Sequence, residues 1–529
     1  MPETPDDRLA ALGARLESDP SFAFLRELAV EHPDAEAYLV GGIVRDAAIG
    51  REAKDYDFVI RGVSADALRA FLAARGRVDL VGRNFGVFKF LPSGWPADAG
   101  AFDIALPRTE HAEGTGGYRD VEVQSDPALA ITADLARRDF TINAMAWDVR
   151  NHALIDPFNG RSDLDQRVIR AVGNPSERFA EDRSRTLRGL RFAAQLGFEI
   201  VPETMAAIRA IMPTINEQRP ARKAHENVTL LPGALEFVTP REIVARELIK
   251  SFDADPVRSV DLWDEAGAIA ELMPEALEMK GCAQPDIYHY EGDVWTHSRL
   301  GLSKLRSAEY RAEFGDERPS ALVVLGVWFH DFGKPPTQKT PERDGTDRIR
   351  FDGHDEVGGE MVRKIAHRLA LASPFPKGHR LHVDPEDLGL VVDHHLLLLN
   401  DPGTMRSATL EKYFFNPNKP GDALQRVSFC DGSAAVPMGG GPPDLAHFHA
   451  LRQRIRDLTA LIQERNRLPK PIINGHDIMT RFTLPTSPRI GELIETLREE
   501  QLTRLQRGET MTPEDAYAFL EPIARSTKT

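Results

Sequence analysis

Cysteine is almost missing from this chain: its 529 residues hold two, Cys282 and Cys430, far apart and in no metal-binding or disulfide spacing. That excludes a disulfide scaffold, and both read as ordinary buried thiols of a reducing compartment. Long apolar runs are also missing. No stretch approaches the roughly eighteen consecutive apolar residues of a membrane-spanning helix, and Met1 to Pro20 is too charged for a secretory signal. Positive charge is in deficit, with a net balance of −15. A nucleic-acid partner would therefore need a local basic surface inside an acidic protein. What is present is an apolar fraction of 42% and length for roughly three or four domains. The chain reads as a soluble, cytoplasmic, multidomain protein.

The most informative stretch is Tyr38 to Ile60, YLVGGIVRDAAIGREAKDYDFVI. Tyr38, Leu39 and Val40 look like the end of a buried strand. Gly41 and Gly42 then permit the tight turn and close backbone approach that a phosphate-cradling loop needs. The following residues have helical composition, with Arg45 placed to reach back toward a bound triphosphate. After Gly50 the period becomes two. Residues i and i+2 of a strand share a face, so Asp55 and Asp57 would stand side by side. Divalent cations would relieve their repulsion, and Mg2+ suits oxygen ligands and substrate phosphates. Taken singly, a Gly-Gly is a turn and an Asp-x-Asp a solvated edge. In this order they resemble the head signature of the class II nucleotidyltransferases, the tRNA CCA-adding enzymes and bacterial poly(A) polymerases of the polymerase β superfamily.

Arg137 to Asp148, RRDFTINAMAWD, crowds two arginines, an aspartate and an asparagine beside the core residues Phe140, Ile142 and Met145. It is similar to the family's ribose-recognising motif. The resemblance implies that Arg138 and Asp139 meet the ribose hydroxyls and triphosphate of the incoming nucleotide. Ala180 to Ala194, AEDRSRTLRGLRFAA, spaces Asp182, Arg185, Arg188 and Arg191 as one slowly drifting stripe on a helix, with Leu187, Leu190 and Phe192 facing elsewhere, toward a core. It resembles the family's EDxxR motif, in which protein side chains act as the template. Asp182 would accept from the exocyclic amine shared by cytosine and adenine, and Arg185 would donate to the neighbouring ring nitrogen. Arg188 and Arg191 continue this nucleotide-binding stripe. Asp103 is a candidate third carboxylate. The family's flexible specificity loop would fall in Pro92 to Gly100 or His111 to Tyr118, and residues 216–239 match nothing and receive no role.

A second constellation follows: His297, His330-Asp331, His354, Asp393-His394-His395 and Asp431. Mixed imidazole and carboxylate donors suit transition metals as well as Mg2+. The order His, His-Asp, Asp, with Gly333-Lys334 after the pair, resembles the HD phosphohydrolase superfamily. The resemblance implies a divalent ion of unspecified identity held by His297, His330, Asp331 and Asp431, with His354 and Lys334 near substrate phosphate. The His330-Asp331 pair is expected within a helix. His476-Asp477 repeats the letters in the tail and reads as structural.

The expected architecture is α+β: a small mixed-sheet polymerase β-like head (residues 1–150), a neck with the templating helix (151–215), a helical RNA-binding body (216–290), an all-α HD domain (291–440) and a helical tail (441–529). The resemblance implies a template-independent tRNA nucleotidyltransferase that adds CCA from CTP and ATP. Two Mg2+ ions would sit at Asp55 and Asp57, with Gly41, Gly42 and Arg45 on the triphosphate. The expected partner is tRNA; no membrane and no protein partner is expected. A poly(A) polymerase, or an enzyme adding only CC or only A, would carry the same head motifs. A reading of another class makes the chain an HD phosphohydrolase whose head merely binds nucleotide, and intact Asp55 and Asp57 speak against it.

Overall fold

The alternation through Phe58 and Ile60 builds a strand in the middle of the head sheet. The computed structural model describes residues 4–52, 55–81, 87–96, 100–112, 116–117, 121–221, 233–400, 405, 407–467 and 470–525. Parts of both loop candidates (97–99, 113–115 and 118–120) lie outside the described residues.

The head strands are β1 (Glu36–Val40), β2 (Asp57–Arg61), β3 (Gly76–Val81), β4 (Val87–Pro92), β5 (Phe102–Ala105), β6 (Arg108–Ala112), β7 (Val121–Ser125), β8 (Ala146–Asp148) and β9 (Ala153–Ile155). One mixed sheet runs in the order β3-β4-β5-β2-β1-β8-β9, with β2 and β5 parallel, while β6 and β7 pair separately. Helices α1 (Pro5–Ser18), α2 (Ala23–Glu31), α3 (Gly42–Ala48), α4 (Ala65–Ala73), α5 (Ile131–Ala136), α6 (Gly160–Gln166), α7 (Pro175–Glu181) and α8 (Ser184–Leu196) complete head and neck.

The sheet's two faces follow the period-two pattern. On one, Phe22 sits 4.9 Å from Tyr56 and 5.2 Å from Phe102, and Phe24 meets Phe58 and Phe90 edge-on. Burying such a ring contributes roughly 1.5–3 kcal/mol. The N-terminal helical segment thus closes this face of the head. On the other face Tyr38, Val40 and Val59 join Ile131, Leu135 and Ala146 in a second cluster. Asp57 shares the face of Val59, so its carboxylate emerges at the edge of this cluster.

In the neck, Asp156 of the DPFNG turn accepts from the Gly160 and Arg161 amides at 2.7 and 2.8 Å, and Asn159 takes the left-handed conformation there, at φ 58°. Helix α8 packs against the helix Arg241–Ala254, with Arg191 paired to Glu247 at 2.5 Å. In the unmatched segment 216–239, Gln218–Pro220 pairs with Leu235–Phe237, and residues 222–232 lie outside the described ones.

Packing divides the chain into two units, residues 1–396 with 422–444, and 397–421 with 445–529. The second has its own core of Ile473, Ile478, Leu493, Leu497 and Leu520. There Asp477 makes a reciprocal cap with Asn474 at a helix start, the structural role expected for it. No helix among the described residues is long and apolar enough to cross a membrane.

Candidate functional site

The head site forms where β1 and β2 reach the same end of the sheet. Gly41 follows β1 with φ 77°, a conformation that strains residues bearing Cβ. A Cβ there would lie 3.3 Å from Arg138 Nη1 and 3.5 Å from Asp57 Oδ2, so the bare turn lets both side chains close on the backbone. Asp57 is the first residue of β2. Asp55 lies before the strand and is exposed, so the two carboxylates are not strand neighbours as their spacing suggests. The neighbour is Asp103: β5 runs parallel to β2 and sets Asp103 directly beside Asp57. Lys89, next across β4, reaches Asp103 at 2.8 Å. Burial, then the charges of Asp103 and Asp55, push the Asp57 carboxyl up to about 6, against the pull of Arg138. Three carboxylates gathered in this way fit divalent ions.

Arg138 and Arg137 are both held by buried Asp134, at 3.3 and 2.8 Å. Asp134 went unnoticed in the sequence, though it stands three and four residues before the pair, the spacing of a helical ion pair. Asp139 is saturated: Oδ1 accepts from the Phe140 amide and Asn143 Nδ2 at 2.8 and 3.2 Å, and Oδ2 accepts Nε and Nη2 of Arg188 at 2.8 and 2.6 Å. Burial alone would raise its carboxyl, but Arg188 carries it down to about 2. Arg45 is 5% exposed, forks onto Asp46 at 2.9 and 3.0 Å and donates Nη1 to Asn143 at 2.6 Å. Nη1 and Nη2 each carry a second N–H beyond these bonds.

The stripe of the neck divides in two. Asp182 precedes α8 rather than lying in it. Its Oδ1 accepts from the amide and hydroxyl of Ser184 at 2.9 and 2.6 Å, and burial raises its carboxyl. Arg185, in the first turn of α8, pairs with Glu181 at 3.0 Å and stands 3.8 Å from Asp182. Arg188 and Arg191 are committed to Asp139 and Glu247. Phe192 does not face away from the arginines: the guanidiniums of Arg191, Arg45 and Arg188 lie 4.0, 5.2 and 5.4 Å from its ring. Three cations on one aromatic ring explain this departure from the simple helical wheel.

The HD constellation converges. His297 comes from the helix Val294–Lys304 and Asp431 from the helix Gly421–Ala434. His330 and Asp331 follow the helix Ala321–Phe329 and sit in a turn, not within a helix. The turn is enforced by close approach, because a Cβ on Gly333 would lie 1.9 Å from the His354 carbonyl oxygen. His297 Nε2 stands 3.0 Å from Asp431, His330 Nε2 3.2 Å from Asp331, and His354 and His395 Nε2 3.6 and 3.8 Å from Asp331. On the other edge of each ring, Nδ1 of His330, His354 and His395 bonds the carbonyls of Val327, Phe351 and Val392, and that of His297 bonds Glu291. A carbonyl only accepts, so Nδ1 carries a proton in those three rings, and in the neutral imidazole Nε2 offers its lone pair inward.

These donors form two buried groups of metal-binding geometry, His297 with His330 and Asp431, and Asp331 with His354 and His395. The Nε2 atoms of His330, His354 and His395 are buried without a hydrogen-bond partner among the described residues, which suits them as metal ligands. Lys334 Nζ lies 2.7 Å from Asp331. Three members of this arrangement were not read as ligands or supports in the sequence. His354 was placed on phosphate, His395 stood unassigned in the Asp-His-His string, and Glu291 gave no signal beyond its nearness to His297.

Known proteins match both parts. Residues 37–170 match the poly A polymerase head domain, and residues 294–415 match the HD domain. The multifunctional CCA protein of Alkalilimnicola ehrlichii is 33% identical over 383 residues, covering 71% of this chain and 78% of that protein. The one from Xanthomonas campestris pv. campestris (strain B100) is 32% identical over 437 residues, covering 80% and 92%. A solved tRNA-processing enzyme in an apo form shares the fold at a TM-score of 0.51 and 18% identity, over 94% of this chain and 98% of that one. By this identity and coverage, the chain belongs to the family of the multifunctional CCA proteins.

Proposed function

We propose that this protein is a tRNA nucleotidyltransferase that adds CCA to tRNA 3′ ends from CTP and ATP without a nucleic-acid template, and that its HD domain is a metal-dependent phosphohydrolase. The observation that carries the head reading is the pairing of Asp57 with Asp103 beside the Gly41 turn. Asp55, Asp57 and Asp103 would hold Mg2+ in the head. His297, His330, Asp331, His354, His395 and Asp431 would hold divalent cations in the HD domain. When bound, such ions stabilise developing charge on phosphate oxygens and lower the pKa of an attacking hydroxyl or water.

The chain's own groups do the rest. Gly41 and Gly42 let the triphosphate approach the backbone. Arg138, beside Gly41, meets its phosphates, and Asp139 meets its ribose hydroxyls. Asp182 and Arg185 read the amine and ring nitrogen that cytosine and adenine share, and the opposite polarity of uracil and guanine would leave a buried charge unpaired. Arg188 and Arg191 hold α8 in place beneath them. In the HD domain Lys334 faces substrate phosphate. We place the enzyme in the cytoplasm, with tRNA, and assign RNA binding to the body, residues 216–290.

The two centres should separate by mutation. Asp57→Ala should reduce nucleotide incorporation by at least about a thousandfold and spare phosphatase activity on a model phosphate ester, and Asp331→Ala should do the reverse. Loss of both activities in either variant would defeat the two-site account.

A further inference from the structure

The nucleotide-facing motifs of the head are joined through one buried amide. Asn143 is 6% exposed. Its Oδ1 accepts from Arg45 Nη1 at 2.6 Å, and its Nδ2 donates to Asp139 Oδ1 at 3.2 Å. A guanidinium only donates and an ionised carboxylate only accepts, so these two partners fix which end of the amide faces which. The main-chain oxygen of Asn143 also accepts from Arg138 Nη1 at 3.4 Å. Beyond Asp139 the row continues through both nitrogens of the Arg188 fork, at 2.8 and 2.6 Å. Arg45, Asn143, Asp139 and Arg188 therefore form an unbroken polar row from α3, at the glycine turn, to α8. Phe192 closes it from the side, with its ring 5.2 Å from the Arg45 guanidinium and 5.4 Å from that of Arg188.

The ends of this row carry the consequence. Arg188 lies one helical turn beyond Arg185 on α8, so whatever fixes the Arg188 fork also fixes the rotation at which α8 presents Arg185, and Asp182 just before it. Asp139 alone would grip that fork loosely, since a carboxylate free on its other side can rock. The Asn143 amide and the Phe140 N–H pin that other side. Arg45 in turn fixes the amide, because its own Nε and Nη2 are spent on Asp46.

We propose that Asn143 is a positioning residue for base selection. It sets Asp139, through it the Arg188 fork, and through that the register of Asp182 and Arg185 against the base. The inference rests on the nucleotidyl-transfer reading of the head and deepens it.

The test compares kcat/KM for CTP with that for UTP, on a tRNA ending before its CCA. Wild type is set against Asn143→Ala and Arg188→Lys, the latter keeping the charge and losing the fork. Thermal melting establishes that each variant is folded. Both should lower the CTP-to-UTP ratio by about tenfold, the order of one hydrogen bond to an ionised partner. A merely structural role would depress CTP and UTP by the same factor and leave the ratio within about twofold of wild type, and that result in the folded variants overturns the inference. Should Asn143→Ala not fold, the ratio in Arg188→Lys decides alone. A wild-type protein that adds no cytidine would overturn the reading of the head itself, which separates the two failures.

Discussion

Asp57 carries an electrostatic cost that Arg138 and Lys89 offset only in part. Its carboxyl is pushed from 3.8 to about 6, by burial first and Asp103 next. A raised carboxyl pKa destabilises the fold where the group is ionised, above about pH 6, and the penalty vanishes below its unfolded value. Without divalent ions, Asp57→Asn should therefore raise the melting temperature at pH 7.5 and give no gain near pH 4, although it abolishes incorporation. Calorimetry at the two pH values checks this, and an equal gain at both would contradict it. In the HD domain the corresponding residue is Glu291, which fixes Nδ1 of both His297 and His289 at 2.7 and 2.8 Å. Removing such a support typically weakens metal binding about ten- to a hundredfold. Glu291→Gln should therefore weaken Mn2+ binding to the HD domain in a calorimetric titration, and unchanged affinity would show that the backbone alone positions His297.

Elements were legible where local pattern decides them. The glycine turn, the alternation of β2 and the helices at either side of it follow from periods of two and 3.6 residues, which neighbouring residues reveal by themselves. Contacts made by pairing were not. Asp103 is only a candidate third carboxylate in the sequence; what places it beside Asp57 is the parallel pairing of β5 with β2, and a parallel register leaves no local trace. The stripe on α8 was legible as a stripe, but Arg188 and Arg191 turned out to be spent on Asp139 and Glu247, from distant segments. The His330-Asp331 turn escaped because its cause is the contact of Gly333 with His354. At this scale the glycine turn is the testable feature. Gly41→Ala combines a φ of 77° with a Cβ crowding Arg138 and Asp57. It should cut CTP incorporation more than about tenfold, measured as kcat/KM, and lower the melting temperature by a few degrees, the order of one strained backbone position; full activity would remove the turn from the site.

The whole molecule joins a nucleotidyltransferase head and an HD domain in one chain, and each carries a cluster of acids or imidazoles with donors suited to divalent cations. The net charge of −15 is an average over the whole chain, so it says little about where an RNA-facing surface lies. The head match, residues 37–170, holds the carboxylate cluster, and the HD match, residues 294–415, holds the imidazole cluster except for Asp431, which follows it.

The measurement that bears most directly on this account is incorporation of labelled CTP and ATP, separately and together, into tRNA lacking its 3′ CCA, with Mg2+ and at single-nucleotide resolution. The account predicts two cytidines, then one adenosine, then arrest. A long adenosine ladder, or no addition at all, would contradict it.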